Sequence, residues 1–452
     1  MENTSKITNK ERFYYVLYFF GQCCAYILVT SFLQIYMTDI GISAITVGII
    51  FLVAKVWDAI NDPLFGVLVD KVTLKGGKYL PWLRLAVILV PVSTFLLFAI
   101  PNTFPLWIKI TWASVGYVLW DTSYTICDVP IFAIVTSMTK NVKERGALLS
   151  YGRIGVALSA ILLTVCIPLI YPIVGWMLCA LIVGIFSFLF MFPITRHAKE
   201  RYTERNQKTS VKGLLGDVLK NKYLVIFLGA YILGGIFNTA SISSYFYIHA
   251  MGGPQIISLI STVLILPILL GTLLTPTMVK YFDKAKFAIA CYGVTILISI
   301  VIYISGYHNF WLYVGLAALK TLFTTFAGNM AIMFTADCAE YGLFKTGRHA
   351  EGITFSMQTF AVKFVSAVSG ALGMIFLGIV GFVEGTGVVQ SQGTIDWMWV
   401  LITIVPAISS LVTFLILLFG YKLRDKDVQI MSQVNQGKLS REEAGGLLSR
   451  KY

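Results

Sequence analysis

The amino-acid sequence predicts an all-α polytopic membrane protein with twelve spanning helices in two six-helix halves. Three observations predict it. Of the 452 residues, 57% are hydrophobic and only 13% are charged, and the mean hydropathy of +0.79 lies far above that of a soluble domain. Apolar runs of about 20 residues recur, each able to cross ~30 Å of hydrocarbon at ~1.5 Å rise per residue. One long polar segment, 196–222, holds eight Lys or Arg residues and falls between the sixth and seventh runs.

The runs of the first half are read at 13–38, 45–69, 80–100, 105–136, 148–171 and 173–195. The first is too long for the apolar region of a leader and has no small-residue cleavage site after it, so it reads as a span. Gly41-Ile-Ser43 and Pro101-Asn102 supply turn chemistry between neighbours. The runs of the second half are read at 223–250, 255–279, 287–307, 310–336, 353–383 and 397–421, with Gly252-Gly253-Pro254 as the clearest turn. The domains expected are thus a bundle over 1–195, a cytoplasmic linker over 196–222, a bundle over 223–421 and a tail over 422–452. In the tail, Ser440 and Glu443 make a capping-box pattern that predicts a short surface helix, with no specific role attached.

Charge sets the orientation. Lys6, Lys10 and Arg12, then Lys71, Lys75 and Lys78, Lys140, Lys143 and Arg145, Lys280, Lys284 and Lys286, Lys345 and Arg348, and the tail from Lys422 are basic, while the loops between them carry almost no Lys or Arg. By the positive-inside rule both termini are cytoplasmic in a multi-pass plasma-membrane protein. The net charge of +13 is explained by these loops and needs no nucleic-acid partner. The seven cysteines lack metal or disulfide spacing and read as reduced packing residues. Without a Walker A loop or a dinucleotide fingerprint, and with four His, the chain does not read as an enzyme and implies no cofactor. Gly66-Val-Leu-Val-Asp70-Lys71 is echoed by Val279-Lys280-Tyr281-Phe282-Asp283-Lys284, and Glu144-Arg145-Gly146 by Arg348-His349-Ala350-Glu351-Gly352. Parallel repeats of six spans are the architecture of the major facilitator fold, whose substrate site lies near the midplane.

Charges inside the apolar runs need a reason, because each costs roughly 2.5–3.5 kcal/mol at a bilayer centre. Lys55, Asp58 and Asp62 share one helical face, with Asn61 at its edge. Two carboxylates and an amide make a hard-oxygen cluster suited to Na⁺ or Li⁺, or to H⁺ once their repulsion raises one pKa. The plainer alternative pairs Asp58 with Lys55 and leaves Asp62 a local cap. In the fourth run Asp121, Tyr124, Thr125 and Asp128 again share a face, with Asp128 open to a second reading as partner to the kink at Pro130. Asp121 could serve the substrate or pair with Lys55. Summing Asp58, Asp62, Asp121 and Asp128 against Lys55, Arg153 and Lys363 gives minus four and plus three, which leaves room for one monovalent cation. Trp112, Tyr117, Trp120, Tyr124 and Phe132 add ring faces of the kind that cover a sugar.

Trp57-Asp58-Ala-Ile-Asn61-Asp62-Pro63-Leu-Phe-Gly66, Gly77-Lys78-Tyr-Leu-Pro81-Trp82, Tyr124-Thr125-Ile-Cys-Asp128-Val-Pro130, Ala336-Asp337 to Tyr341-Gly342, and Gln358-Thr359-Phe-Ala-Val-Lys363 resemble the glycoside-pentoside-hexuronide:cation symporters typified by the melibiose carrier. The resemblance runs through both halves. It implies that Asp58, Asp62, Asn61 and Thr125 form a Na⁺ or H⁺ site, with Asp58 and Asp62 as the acidic ligands. It places Asp128, Arg153, Gln358 and Thr359 at sugar contacts, joined by Tyr124, and gives Lys363 and Lys55 coupling positions. Where that carrier has a Lys-Asp pair this chain reads Gln22-Cys23, and Phe132 replaces a tryptophan, so the cation half is kept and the sugar half altered. The function implied is uptake of a glycoside, pentoside or hexuronide with a monovalent cation, by a carrier that works as a monomer in the lipid bilayer. A sodium-coupled lysolipid carrier of the same fold would need an apolar side opening, against the polar slab. A non-transporting sugar sensor would need a soluble signalling domain, and the short tail offers none.

Overall fold

The structure, a computed structural model, describes residues 7–72, 76–139, 141–202, 221–347 and 351–450. Most of the segment 196–222 lies outside the described residues, as do Lys6, Lys75, Lys140, Arg348 and the side chains of Asp70, Lys71 and Lys143. The internal echoes and loop charges read on those positions therefore lie outside them too.

The helices in chain order are α1 (Asn9–Asp39), α2 (Ala44–Lys71), α3 (Leu80–Leu97), α4 (Leu106–Met138), α5 (Val142–Val174), α6 (Trp176–His197), α7 (Lys222–Gly235), α8 (Ser243–Ala250), α9 (Gln255–Tyr281), α10 (Lys284–Ser305), α11 (Phe310–Thr346), α12 (Glu351–Ile379), α13 (Gln392–Gly420), α14 (Asp425–Asn435) and α15 (Arg441–Leu447). Among the described residues eleven of them are long and apolar enough to cross a membrane. The chain is an all-α integral membrane protein.

The described chain divides into two compact units. The first comprises the described parts of Met1–Gln207 with Ser244–Ser261 and Leu377–Ser391. Within it α1 packs between α5 and α6, α3 against α4 and α6, and α2 against α4. Small residues set the closest approaches, as expected where lipid supplies no hydrophobic drive between helices. A Cβ on Gly155 of α5 would stand 2.4 Å from the Val16 carbonyl oxygen of α1. We expect Gly155→Val to force α1 and α5 apart at a cost of about 1–3 kcal/mol or more, read as loss of the monodisperse peak in detergent chromatography.

Charged groups from distant segments finish the helix ends of this unit. The Thr8–Glu11 capping box opens α1, and Glu11 also receives Arg201 at 2.9 Å. Tyr79, at the start of α3, offers no side-chain cap. Glu200 supplies it, accepting the backbone N–H groups of Lys78, Tyr79 and Leu80 at 2.7, 2.8 and 2.6 Å, where a carboxylate also meets the positive end of the helix dipole. Glu384 does the same for α2, accepting from the Ala44 N–H at 2.8 Å, while Gly385 N–H donates to the Thr38 carbonyl at 3.1 Å.

The second unit comprises the described parts of Lys208–Ser243, Thr262–Phe376 and Gln392–Tyr452. Here α10 packs against α11 and α13, and α13 against α7. The span expected over 223–250 is divided: α7 stops at Gly235, a 3₁₀ turn covers Thr239–Ile242, and α8 follows. Tertiary bonds hold the break open. The Ser409 hydroxyl of α13 donates to the Gly234 carbonyl, and the Thr239 hydroxyl donates to the Leu401 carbonyl of α13.

α11 runs for 37 residues, about ten past the span expected, and its overhang carries Asp337 and Glu340. Lys284 pairs with Asp337 at 2.7 Å and with Asp425 at 3.4 Å, and Arg424 with Asp283 at 3.1 Å. Asn435 donates to Glu340 at 2.8 Å, and Arg441 to the Phe344 carbonyl at 2.9 Å. The tail helices are thus fastened to the ends of α10 and α11. The expected Ser440–Glu443 capping box forms, and its hydrogen bonds hold the exposed Glu443 carboxyl below its ordinary pKa.

Candidate functional site

Helices α2 and α4 face each other, joined near the site by the Trp57 indole N–H, which donates to the Thr122 hydroxyl at 3.0 Å. Their polar residues form two groups one turn apart. In the first, the Lys55 ammonium lies 3.5 Å from Asp58 and 4.0 Å from Asp121. In the second, Asn61 donates to the Thr125 hydroxyl at 2.9 Å, and that hydroxyl donates to Asp62 at 2.8 Å. The Lys55–Asp58 pair weighed from sequence does form. Asp62 receives a hydroxyl from across the helix pair.

Asp58, Asp62 and Asp121 each keep further interactions, so none is bare. Among the described residues no three His, Cys, Asp or Glu side chains gather closely enough to hold a metal by themselves. A cation between α2 and α4 would therefore draw on the neutral oxygens of Asn61 and Thr125 beside a carboxylate. That donor set suits a weakly held monovalent ion better than a divalent one.

The second polar group of this unit lies on α1 and α4. Gln22 donates to Asp128 at 2.7 Å and to the Tyr124 hydroxyl at 3.0 Å. Tyr124 stacks on Trp120 with ring centroids 5.2 Å apart and meets Tyr26 at 5.1 Å. Cys23, expected at the substrate, is buried, and its thiol donates to the Val156 carbonyl at 3.6 Å. Adjacent helical residues point about 100° apart, so only one of Gln22 and Cys23 can face Asp128, and Gln22 does.

Phe132 is 48% exposed and packs edge-on against Phe19. Of the other aromatics, Trp120 is buried with its indole N–H on Thr94, and Tyr117 is buried against Phe51. Trp112 donates to the Leu96 carbonyl. Tyr124 shares with Asp128 the donor group of Gln22. α4 runs unbroken through Pro130. Arg153 is exposed on α5 and, among the described residues, has no ion pair. In the second unit Gln358 is buried on α12, while Thr359 and Lys363 are exposed, the Thr359 hydroxyl donating to the Phe355 carbonyl at 3.1 Å.

The sum of intramembrane charges omitted Lys320, which lies well inside α11. With it the positive total is four against four, and charge counting alone leaves no place for a cation. Gln22 stood out in the sequence only as a departure from the carrier's Lys-Asp pair, and Glu200 not at all: a Gln in an apolar run and a Glu in a basic segment give no periodic signal.

The model of the MFS/sugar transport protein family matches residues 16–425. The chain belongs to this family. An isoprimeverose transporter of Lactiplantibacillus pentosus is 28% identical over 94% of this chain and 91% of its own length. A protein of Escherichia coli (strain K12) whose name, YagG, comes with a proposal of glycoside/cation symport is 28% identical, covering 89% of this chain and 90% of its own. Among solved structures, a D-xylose–proton symporter superposes with a TM-score of 0.60 over 91% of this chain and 96% of its own, at 14% identity, which speaks to the fold. The family has the major facilitator fold, and this member is a secondary transporter of that type, not an enzyme.

Proposed function

We propose that this transporter carries a sugar or glycoside into the cell together with one monovalent cation, from a plasma-membrane position with both termini in the cytoplasm. The observation that supports it most is the Asn61–Thr125–Asp62 relay one turn from the Lys55–Asp58–Asp121 group. An apolar bilayer tolerates such a concentration of charge and hard oxygen only where it is used. Asp58, Asp62, Asn61 and Thr125 are the cation ligands in this reading, for Na⁺, Li⁺ or H⁺. Asp128, with Tyr124 and Gln22, accepts and donates to sugar hydroxyls, Arg153 adds a donor fork, and Gln358 and Thr359 contribute from the second half. Lys55 and Lys363 link the two events. Transport then follows alternating access of the halves over 1–195 and 223–421, each ligand favouring the state it binds better. The symporter name carried by one relative and the sugar named for the other agree with this reading.

Purified protein in liposomes tests it. Labelled sugars should accumulate above the outside concentration under an inward Na⁺ or H⁺ gradient and only equilibrate without one. A carrier that equilibrates its sugar equally fast and no further under either gradient is a facilitator, and the coupling reading fails.

A further inference from the structure

Lys320 lies ten residues into α11, about 15 Å along the helix and so near the middle of a ~30 Å hydrocarbon layer. A lysine stem cannot bring its ammonium to either interface from that depth. Among the described residues Lys320 has no ion pair and no hydrogen bond, unlike Lys55 and Lys284, which sit among carboxylates. A charge left so is costly and calls for a partner.

The side of α11 that carries it is not the side of its large exposed apolar residues. Within about three turns of it the large apolar exposed residues, Trp311, Leu312, Leu319 and Ile332, all lie about 80–180° around the helix from Lys320 at ~100° per residue. Buried Tyr313 and Ala327 lie on its own side, within about 20°. Below it on that side the exposed positions are Thr324 and Gly328, polar or small rather than apolar. Lys320 thus stands beside exposed positions that suit a polar ligand better than an apolar one.

We propose that Lys320 binds the acidic group of the substrate, a carboxylate or sulfonate on the sugar, and so selects anionic over neutral sugars. This rests on the sugar-symport reading and adds a substrate charge to it. It also restores the demand for a cation. With Lys320 counted, the intramembrane formal charges cancel, so one anionic sugar entering brings a need for one positive ion.

The test is uptake into liposomes of D-glucuronate, methyl glucuronide and a sulfonated hexose, with methyl glucoside as the neutral counterpart. The wild type should take up at least one anionic probe, the carboxylate and sulfonate arms showing which acid it prefers. Lys320→Gln should raise KM for that probe about tenfold to a hundredfold, the range of a lost charged hydrogen bond, with kcat and any methyl glucoside uptake unchanged within about twofold. Lys320→Arg should keep anion uptake within a few-fold, and a glucuronate-induced rise in Tm should vanish in Lys320→Gln and survive in Lys320→Arg. If Lys320→Gln does not fold, Lys320→Met replaces it, since an apolar side chain of similar length removes the charge without leaving a hole. An unchanged KM for the anion in either folded variant, or gradient-driven uptake of methyl glucoside alone, overturns the assignment while leaving symport intact. No accumulation of any probe under either gradient removes the symport reading first and this one with it.

Discussion

Asp62→Asn should leave a protein that inserts, folds and binds its sugar but no longer concentrates it on a cation gradient. The substitution is close to isosteric, and the new amide oxygen still accepts the Thr125 hydroxyl now held at 2.8 Å, so the contact between α2 and α4 survives. What is lost is the negative charge. Removing one partner of a buried ion pair costs about 3–5 kcal/mol, and at about 1.4 kcal/mol per tenfold that is a hundredfold or more in cation affinity. Gradient-driven accumulation should fall to simple equilibration, while exchange of labelled for unlabelled sugar, which needs no net cation movement, should continue. Measuring both in the same liposomes separates a coupling defect from a folding defect. Full Na⁺ or H⁺ stimulation in the mutant would remove Asp62 from the cation site.

Most of the spans, and the common faces on which the candidate site residues fall, were legible because hydropathy and helical spacing are local properties. Asp58 with Asp62, and Thr125 with Asp128, fall on common faces by counting alone. What sequence does not encode locally is the rotation of one helix against the next. That rotation decides between Gln22 and Cys23 at Asp128, and it brings Asp121 within 4.0 Å of Lys55. The break after Gly235 was invisible for a related reason. Ile236 and Phe237 keep the run apolar, and the hydroxyls that hold the break, Ser409 and Thr239, find their acceptors across α7 and α13. Lys320 escaped because one lysine scarcely lowers the mean of an apolar window, and α11 still reads as a span with it. Only the structure shows that, among the described residues, no carboxylate pairs with it.

Lys55→Met should destabilise the protein, and Asp121→Asn added to it should restore much of the loss. Lys55 stands between two carboxylates, 3.5 Å from Asp58 and 4.0 Å from Asp121, and Asp121 is only 4% exposed. Taking away the ammonium leaves two acids facing each other in a poorly hydrated place, a loss of about 3–5 kcal/mol by the usual scale for a broken buried pair. Neutralising Asp121 removes that repulsion without touching Asp58, so the double mutant should melt above Lys55→Met. Asp121→Asn alone should cost less, because Lys55 keeps Asp58. The non-additivity of this cycle measures the Lys55–Asp121 interaction directly. Were the two substitutions simply additive in Tm, the 4.0 Å pair would carry no energy and Lys55 would belong to Asp58 alone. If the coupling is large, Lys55 has a second anion to hold when a cation claims Asp58. An internal lysine could then yield its place to Na⁺ without becoming a lone charge in the membrane.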